Sequence, residues 1–237
     1  MNELTLILPY YSQPAMLQRQ IEEIAKYPKS IKVIVVDDGS PEPIQANPLF
    51  DLYRIDVDIP WNRGEARNIG AYVTSTEWLI QTDIDHVLPA KFAASLCEFH
   101  PDPLQWYIFP RWRVGAADET RKKDQVHHAK KFAQIHPHID SYLMRREMFF
   151  TSPYDERYSG CLGGGTPFLS RMTQIHGEPL ILSADVAQLH VHTSKAVPDA
   201  SVIKLSRDRD EYTRRRAQIA DSRPERILMH PWHKVGN

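Results

Sequence analysis

The stretch Ile31-Lys32-Val33-Ile34-Val35-Val36, followed directly by Asp37-Asp38-Gly39-Ser40, decides the fold class of this chain. A short run that is almost entirely β-branched is typical of a strand buried on both faces of a sheet. The Asp-Asp-Gly-Ser segment has the composition of a tight turn. The stretch therefore predicts a central strand that ends in a polar turn.

The residues before this strand complete a strand–helix–strand unit. Leu4-Thr5-Leu6-Ile7-Leu8 is a second buried-strand pattern, which stops at Pro9. Residues 15–26 carry apolar side chains at helical spacing, which predicts a helix with one apolar face. This spacing predicts a βαβ unit with parallel strands and a right-handed crossover.

Further elements extend this unit into an α/β fold whose open, mostly parallel, twisted sheet is flanked by helices. Strands are predicted at residues 51–59 and 77–82, with a helix at 64–73 between them. The second half carries weaker patterns. These predict a helix at 89–99, an aromatic strand at 104–114, a loop or short helix at 118–138, renewed order at 140–150, a glycine-rich loop at 160–167, strands at 181–182 and 186–192, an arginine-rich helix at 206–220 and an extended tail.

Composition narrows the class of protein. A chain of 237 residues forms one large domain or two small ones, and a net charge of −1 gives no general reason to expect nucleic acid as a partner. Two cysteines, Cys97 and Cys161, cannot make a disulfide framework, which favours a reducing compartment. No signal-peptide pattern and no apolar run of about eighteen residues is present. We therefore expect a cytoplasmic protein without a membrane span.

The segment Trp78-Leu79-Ile80-Gln81-Thr82-Asp83-Ile84-Asp85-His86 carries the strongest chemical signal. It delivers two carboxylates and an imidazole to the end of a predicted strand, where α/β sheets bind ligands. Oxygen ligands suit Mg²⁺ or Mn²⁺, and a nearby imidazole favours Mn²⁺. The same Asp-x-Asp spacing recurs at 56–58 and 208–210, so the motif needs its neighbours to be specific.

Four motifs in one order supply that specificity. They are Leu8-Pro9-Tyr10-Tyr11, Val35-Val36-Asp37-Asp38-Gly39-Ser40, Asn62-Arg63-Gly64-Glu65-Ala66-Arg67-Asn68-Ile69-Gly70-Ala71 and Thr82-Asp83-Ile84-Asp85-His86. Over residues 4–89 this series resembles the family 2 glycosyltransferases of the GT-A fold. The resemblance implies a metal-dependent enzyme that moves a sugar from a nucleotide-diphosphate sugar, with a UDP-sugar favoured, to an acceptor hydroxyl. It also implies Mn²⁺ (or Mg²⁺) as the cofactor.

The resemblance implies a set of nucleotide-binding residues. Tyr11 offers a flat face to a base, Asp38 can accept the ring N–H of a pyrimidine, and Arg67 can reach a base or a phosphate. Asp83 is expected near the ribose and the metal. The full set is Pro9, Tyr10, Tyr11, Asp38, Asn62, Arg67, Asp83 and Ile84.

The resemblance also implies the metal ligands. Asp85 is the expected direct ligand and is counted among the catalytic residues. A late histidine often completes such a site, and His190 and His192 share one face of a predicted strand. We favour His192, because related enzymes place the ligand just before a Ser-Arg/Lys pair. His86 is a further candidate.

The pattern breaks where family members usually read Trp-Gly-Gly-Glu-Asp, one acid of which serves as the general base. This chain reads Cys161-Leu162-Gly163-Gly164-Gly165-Thr166, and neither glycine nor threonine can take a proton at neutral pH. Three explanations stay open. Another residue serves as the base, or the reaction retains configuration with help from the leaving phosphate, or the protein binds a nucleotide sugar without transferring it. Candidates for the base are Asp155, Glu156, Asp140 and His138.

The sequence suggests a domain division and one further alternative. Residues 1–195 are expected to form the GT-A domain, with a nucleotide-sugar half at 1–95 and an acceptor half at 96–195. Residues 196–237 would form an arginine-rich helix and tail, and interleaved acids in that helix are typical of a solvated face. The acceptor is not identified, and nucleic acid is one possibility. A sugar-phosphate nucleotidyltransferase is disfavoured, because residues 8–20 lack a glycine-rich, basic phosphate loop.

Overall fold

The computed structural model describes residues 3–59, 62–114, 132–138, 140–160, 164–192, 213–214 and 228–236. The helices in these ranges are α1 (Pro14–Ile24), α2 (Arg63–Val73), α3 (Ala90–Glu98), α4 (Arg146–Thr151) and α5 (Gly165–His176). The strands are β1 (Leu4–Tyr10), β2 (Ile31–Asp37), β3 (Asp51–Ile55), β4 (Trp78–Gln81), β5 (His86–Val87), β6 (Tyr107–Ile108), β7 (Arg111–Val114), β8 (Phe132–Ile135), β9 (Tyr142–Arg145), β10 (Leu180–Ile181), β11 (Leu189–His192) and β12 (Trp232–Lys234).

The main sheet has eight strands in the order β10-β6-β9-β4-β1-β2-β3-β12. β1 pairs in parallel with both β2 and β4, and β2 pairs in parallel with β3. β9 and β12 run antiparallel to their neighbours. The predicted open, mostly parallel α/β sheet is therefore confirmed, with the βαβ unit at its centre.

A second sheet of four strands has the order β5-β11-β7-β8. β5 begins at His86, one residue after the Asp-x-Asp motif, and pairs with β11. The chain therefore passes from the main sheet to the small sheet within the motif itself.

Helix α2 packs closely on the main sheet. A Cβ on Gly70 would lie 2.2 Å from Cγ2 of Ile7 in β1, well inside contact distance. Only glycine allows this approach, and it brings the first turn of α2 to the ends of β1 and β4.

Three predicted elements differ from the structure. The strand predicted at 104–114 is split into β6 and β7, which belong to different sheets. Pro110 lies between them, and a proline cannot donate a hydrogen bond to a continuing ladder. The prediction of a loop at 160–167 is wrong from residue 165 onward, because α5 begins at Gly165. Within the segment predicted as a loop or short helix at 118–138, residues 132–135 form a strand, residues 136–138 are irregular and residues 118–131 lie outside the described residues.

The C-terminal end belongs to the main sheet. β12 pairs antiparallel with β3, from Trp232 opposite Ile55 to Lys234 opposite Tyr53. The predicted helix at 206–220 lies outside the described residues except at 213–214, which are helical. The predicted domain boundary at residue 195 stays a prediction. Within the described ranges, no helix has the length and apolar character needed to cross a membrane.

Candidate functional site

The ends of β1, β2 and β4 form one edge of the main sheet, which we call the donor edge. The strands are parallel, so their carboxyl ends meet there. Beyond the strand ends, the Asp38 amide donates to the Tyr10 carbonyl (2.8 Å), and the Thr82 amide donates to the Ile7 carbonyl (3.3 Å). These bonds bring the Asp-Asp-Gly-Ser turn and the Asp-x-Asp motif to the end of β1, as the sequence predicts.

Asp38 presents a buried carboxyl group at this edge. Its side chain is buried, and Oδ1 has no hydrogen-bond partner among the described residues. Burial raises the pKa of Asp38 well above its usual range, and Glu65 and Asp37 raise it further. A buried polar atom without a partner is costly in a protein interior, so it favours a ligand that bonds to it.

Tyr11 lies beside this group and is only partly buried. Its hydroxyl donates to Oδ1 of Asp58 (3.0 Å), and burial together with that contact raises its pKa to about 12. Asp58, part of the second Asp-x-Asp sequence, thus orients an aromatic ring. Tyr10 and Ile84 are buried in the core behind the donor edge, and Pro9 lies within β1. Nucleotide contact by these residues stays a prediction.

Asn62 and Arg67 are both fully buried. Asn62 Nδ2 donates to Oε2 of Glu65 (2.6 Å), which holds the start of α2. Arg67 Nη2 donates to Oδ1 of Asp83 (2.5 Å), and Nη1 donates to the carbonyl of Asp140 (2.6 Å). These contacts make Arg67 a positioning residue for Asp83, and direct contact between Arg67 and a base or phosphate stays an untested prediction.

The two aspartates of the motif have opposite environments. Burial opposes ionisation of Asp83, but Arg67 and then Arg63 lower its pKa below the usual range. Burial, and then the charge of Asp83, raise the pKa of Asp85 to about 7. Asp83 is already neutralised by arginines, whereas Asp85 gains most from an added cation.

His86 offers a neutral nitrogen next to Asp85. Arg111 Nη1 lies 3.1 Å from Nε2 of His86, and Ser141 Oγ lies 2.6 Å from Nδ1. A guanidinium can only donate, so Nε2 carries the lone pair and Nδ1–H donates to Ser141. Burial lowers the pKa of His86 to about 4, which agrees with a neutral ring. Its Nε2 lies 4.0 Å from Oδ1 of Asp85.

Two groups of potential metal ligands occur among the described residues. The first is Asp83, Asp85 and His86, and the second is Asp83, His138 and Asp140. In the second group Arg63 Nη2 already pairs with Oδ2 of Asp140 at 2.7 Å. Asp85 of the first group has no salt bridge to an arginine among the described residues, so it is the better anchor for a cation. The nitrogen of His86 beside it would suit Mn²⁺, once the Arg111 N–H that it accepts is displaced.

His190 and His192 join neither group. Val191 of β11 lies opposite His86, and His190 lies opposite both Val87 and Trp112. Side chains alternate along a strand, so both histidines point to the face of the small sheet opposite to His86. The His192 amide does donate to the Asp85 carbonyl (2.9 Å). Their assignment as metal ligands stays a prediction, and His86 is the imidazole beside Asp85 in this structure.

The model of the family described as "Glycosyl transferase family 2" matches residues 5–163, about two thirds of the chain. The chain belongs to glycosyl transferase family 2. No curated protein sequence matches it significantly. The family assignment therefore rests on the match to the family model over residues 5–163.

Two solved structures share the fold of this family 2 protein. The crystal structure of GalNAc-T7 with UDP, GalNAc and Mn²⁺ has a TM-score of 0.66 at 14% identity, covering 92% of this chain and 48% of that chain. The mannosyltransferase PcManGT from Pyrobaculum calidifontis, in complex with GDP-Man and Mn²⁺, has a TM-score of 0.54 at 14% identity, covering 92% and 61%. The chain thus spans roughly half to three fifths of their lengths. The predicted GT-A fold is confirmed.

Two of the candidates for the general base, Asp155 and Glu156, are already engaged. Asp155 Oδ1 accepts from Nε of Arg157 (2.9 Å), and Oδ2 accepts from Nη2 (2.7 Å). Glu156 Oε1 accepts from Nδ2 of Asn68 and the Leu228 amide (both 2.7 Å), and Oε2 accepts from the Met229 amide (2.8 Å). These contacts argue for structural roles, although the catalytic assignment of both residues stays untested.

The structure adds residues that the sequence analysis did not select. Arg63 bridges Asp83 and Asp140, and its place inside the Asn-x-Gly motif was an available signal. Arg111 reaches His86 from β7 in the small sheet. No sequence pattern links them, because that contact depends on how the two strands pair.

Proposed function

We propose that this family 2 protein is a metal-dependent glycosyltransferase that moves a sugar from a UDP-sugar to an acceptor hydroxyl. The observation that carries the proposal is the meeting of three acids at the donor edge. Asp38 keeps a buried oxygen without a partner among the described residues, Asp83 is neutralised by arginines, and Asp85 is a carboxylate with a raised pKa.

The base-binding side of the proposal rests on Asp38 and Tyr11. The open oxygen of Asp38 can accept the ring N–H of a uracil, and the ring of Tyr11 can stack on the base. An acceptor in a buried position discriminates strongly, since a base lacking the N–H would leave it unbonded. A pyrimidine diphosphate is therefore the favoured nucleotide.

The metal side rests on Asp85 and His86. The carboxylate of Asp85 would hold a divalent cation, and Nε2 of His86 would join it where the cation replaces the Arg111 N–H that this nitrogen accepts. The bound cation would balance the charge of the leaving diphosphate. The solved neighbours with the same fold carry Mn²⁺ together with UDP and GalNAc or with GDP-Man. These complexes support Mn²⁺, with Mg²⁺ as the second choice.

Thermal stabilisation by UDP, GDP, CDP and dTDP, each with and without Mn²⁺, tests the proposal. At about a hundred times its dissociation constant, a ligand adds roughly 2.7 kcal/mol, or about 5–10 °C for a chain of this size. We expect that shift with UDP and Mn²⁺, and its loss in Asp85→Ala. Asp185→Ala, at an exposed aspartate outside both ligand groups, is the control and should keep the shift. Absence of a shift with every nucleotide would refute the proposal.

The replacement of the family's acid pair by Gly165-Thr166 motivates an alternative function, a nucleotide-sugar-binding protein without transferase activity. Slow hydrolysis of the donor separates the two functions. Release of sugar and UDP from a UDP-sugar, dependent on Asp85, supports the transferase. Binding of UDP and Mn²⁺ without any hydrolysis supports the alternative.

A further inference from the structure

By the resemblance to family 2, Gly165 stands where family members carry an acid, and it lies against a carboxylate from another part of the chain. A Cβ built on Gly165 would lie 2.5 Å from Oδ1 and 3.1 Å from Oδ2 of Asp140. Gly165 has an ordinary helical backbone, so its conformation does not require glycine. The space is what requires it, because the carboxylate of Asp140 fills the place where a side chain at 165 would begin.

We propose that Asp140 supplies the catalytic carboxylate that family members carry at the position of Gly165. The inference rests on the proposed glycosyl transfer and names the base for that reaction. The carboxylate function has moved from the start of α5 to Asp140, two residues before β9, and the glycine at 165 makes room for it.

The surroundings of Asp140 suit this role. Oδ2 accepts from Nη2 of Arg63 (2.7 Å), and Oδ1 accepts from the hydroxyl of Tyr154 (3.2 Å). Asp140 is buried, and a carboxylate can accept about four hydrogen bonds, so it keeps acceptor capacity for the hydroxyl of a substrate bound against it. One of its oxygens lies within 4.8 Å of an oxygen of Asp83, which places it beside the donor edge.

The other acids considered for this role are less suitable. Both oxygens of Asp155 are bound by Arg157, and both oxygens of Glu156 are bound by backbone amides near the C-terminus. Asp140 differs from them in its position, because one of its oxygens lies within 4.8 Å of an oxygen of Asp83 and its carboxylate lies against Gly165.

The step is a single displacement. The proton of the acceptor hydroxyl passes to the carboxylate of Asp140 as the hydroxyl oxygen bonds to the anomeric carbon of the sugar. The bond between that carbon and the diphosphate oxygen breaks, and UDP leaves with the electron pair. In donor hydrolysis, water takes the place of the acceptor. The configuration at the anomeric carbon is inverted.

The experiment relocates the carboxylate. Hydrolysis of UDP-glucose, UDP-galactose, UDP-GlcNAc and UDP-GalNAc with Mn²⁺ identifies a working donor, which is then used for Asp140→Asn, Asp140→Gly, Asp140→Gly/Gly165→Asp and Asp140→Gly/Gly165→Asn. The last two variants have nearly equal side-chain volume at 165 and differ in the carboxylate. UDP-dependent thermal stabilisation is measured for each variant, so that loss of the base is distinguished from loss of the fold or of the donor site.

We expect Asp140→Asn to lower the hydrolysis rate at saturating donor by about a hundredfold or more while keeping the UDP shift. Asp140→Gly/Gly165→Asp should hydrolyse the donor at least about tenfold faster than Asp140→Gly/Gly165→Asn. The sugar released by the wild-type protein should have inverted configuration.

Three results would overturn the inference: near wild-type hydrolysis by Asp140→Asn, equal rates in the two double variants, or retained configuration. If Asp140→Asn does not fold, the comparison between the double variants decides. If the wild-type protein hydrolyses none of these donors, the inference is refuted. If that protein still binds UDP, the donor site of the proposed function stands. If the donor is hydrolysed at a rate that does not depend on residue 140, the inference is refuted and the proposed function stands.

Discussion

Replacing Arg67 with methionine should destabilise the protein strongly, because it leaves Asp83 next to a vacant space in place of its main counter-ion. Arg67 is fully buried, and its guanidinium makes short bonds to Asp83 and to the carbonyl of Asp140. Removing one partner of a buried ion pair costs about 3–5 kcal/mol. For a chain of this size the loss corresponds to a fall of about 6–20 °C in melting temperature.

A double variant tests the reason for the loss. Removing both charges of a buried pair is far less costly than removing one, so Arg67→Met/Asp83→Asn should recover about 2 kcal/mol relative to Arg67→Met. Arg19→Met, at an exposed position of α1, should lie within about 0.5 kcal/mol of wild type. Urea unfolding at pH 7 gives all four free energies.

The pH dependence follows from the lowered pKa of Asp83. The stabilisation from its ion pair is present above the unfolded-state pKa of about 3.9 and is lost as the pH falls through the lower folded-state value. The difference between wild type and Arg67→Met should therefore persist from pH 5 to pH 8. A loss below about 1 kcal/mol in Arg67→Met, or no recovery in Arg67→Met/Asp83→Asn, would refute the reasoning.

Three further predictions concern His230, Asp85 and Gly70. His230→Ala should destabilise the protein by about 1–3 kcal/mol in urea unfolding, because the buried Glu65 would lose the imidazole 2.5 Å from its Oε2, and an unchanged midpoint would contradict this. Mn²⁺ affinity, measured by calorimetry without nucleotide, should rise about tenfold per pH unit up to about pH 7 and then level off, because Asp85 must lose its proton to bind the cation. A flat profile from pH 5.5 to 8.5 would speak against Asp85 as the ligand. Gly70→Ala should cost about 1–3 kcal/mol by overpacking against Ile7, and Ile7→Val/Gly70→Ala, which trims that side chain, should be less destabilised than the two single changes predict together.

The parallel centre of the main sheet was predictable because β1, β2, β3 and β4 each have a local signal. The β-branched run at 31–36 and the apolar run at 4–8 became β2 and β1, each within a residue or two of the predicted ends. Strands buried on both faces read as unbroken apolar segments, so their position does not depend on knowledge of their neighbours. In the second sheet, the strand predicted at 186–192 contains β11, whereas β5 and β8 were not predicted as strands and the 104–114 segment, which contains β7, was predicted as one strand.

The candidate site was predictable in part for the same reason. Asp38, Asp83 and Asp85 follow directly after strong strands, and parallel strands bring those ends to one edge. Arg67, by contrast, was expected at a base or phosphate and lies buried against Asp83. The direction of a side chain from a helix depends on how that helix packs, which sequence periodicity does not specify.

The sequence by itself determined the family, the α/β class and the positions of the acids at the donor edge, because these follow from local patterns and their order along the chain. Only the tertiary structure decided the partners of those acids. It paired Asp83 with Arg67, set Asp140 against Gly165 and turned His192 away from His86. Contacts between residues far apart in sequence depend on strand register and on helix packing, and both are settled only when the whole core is formed.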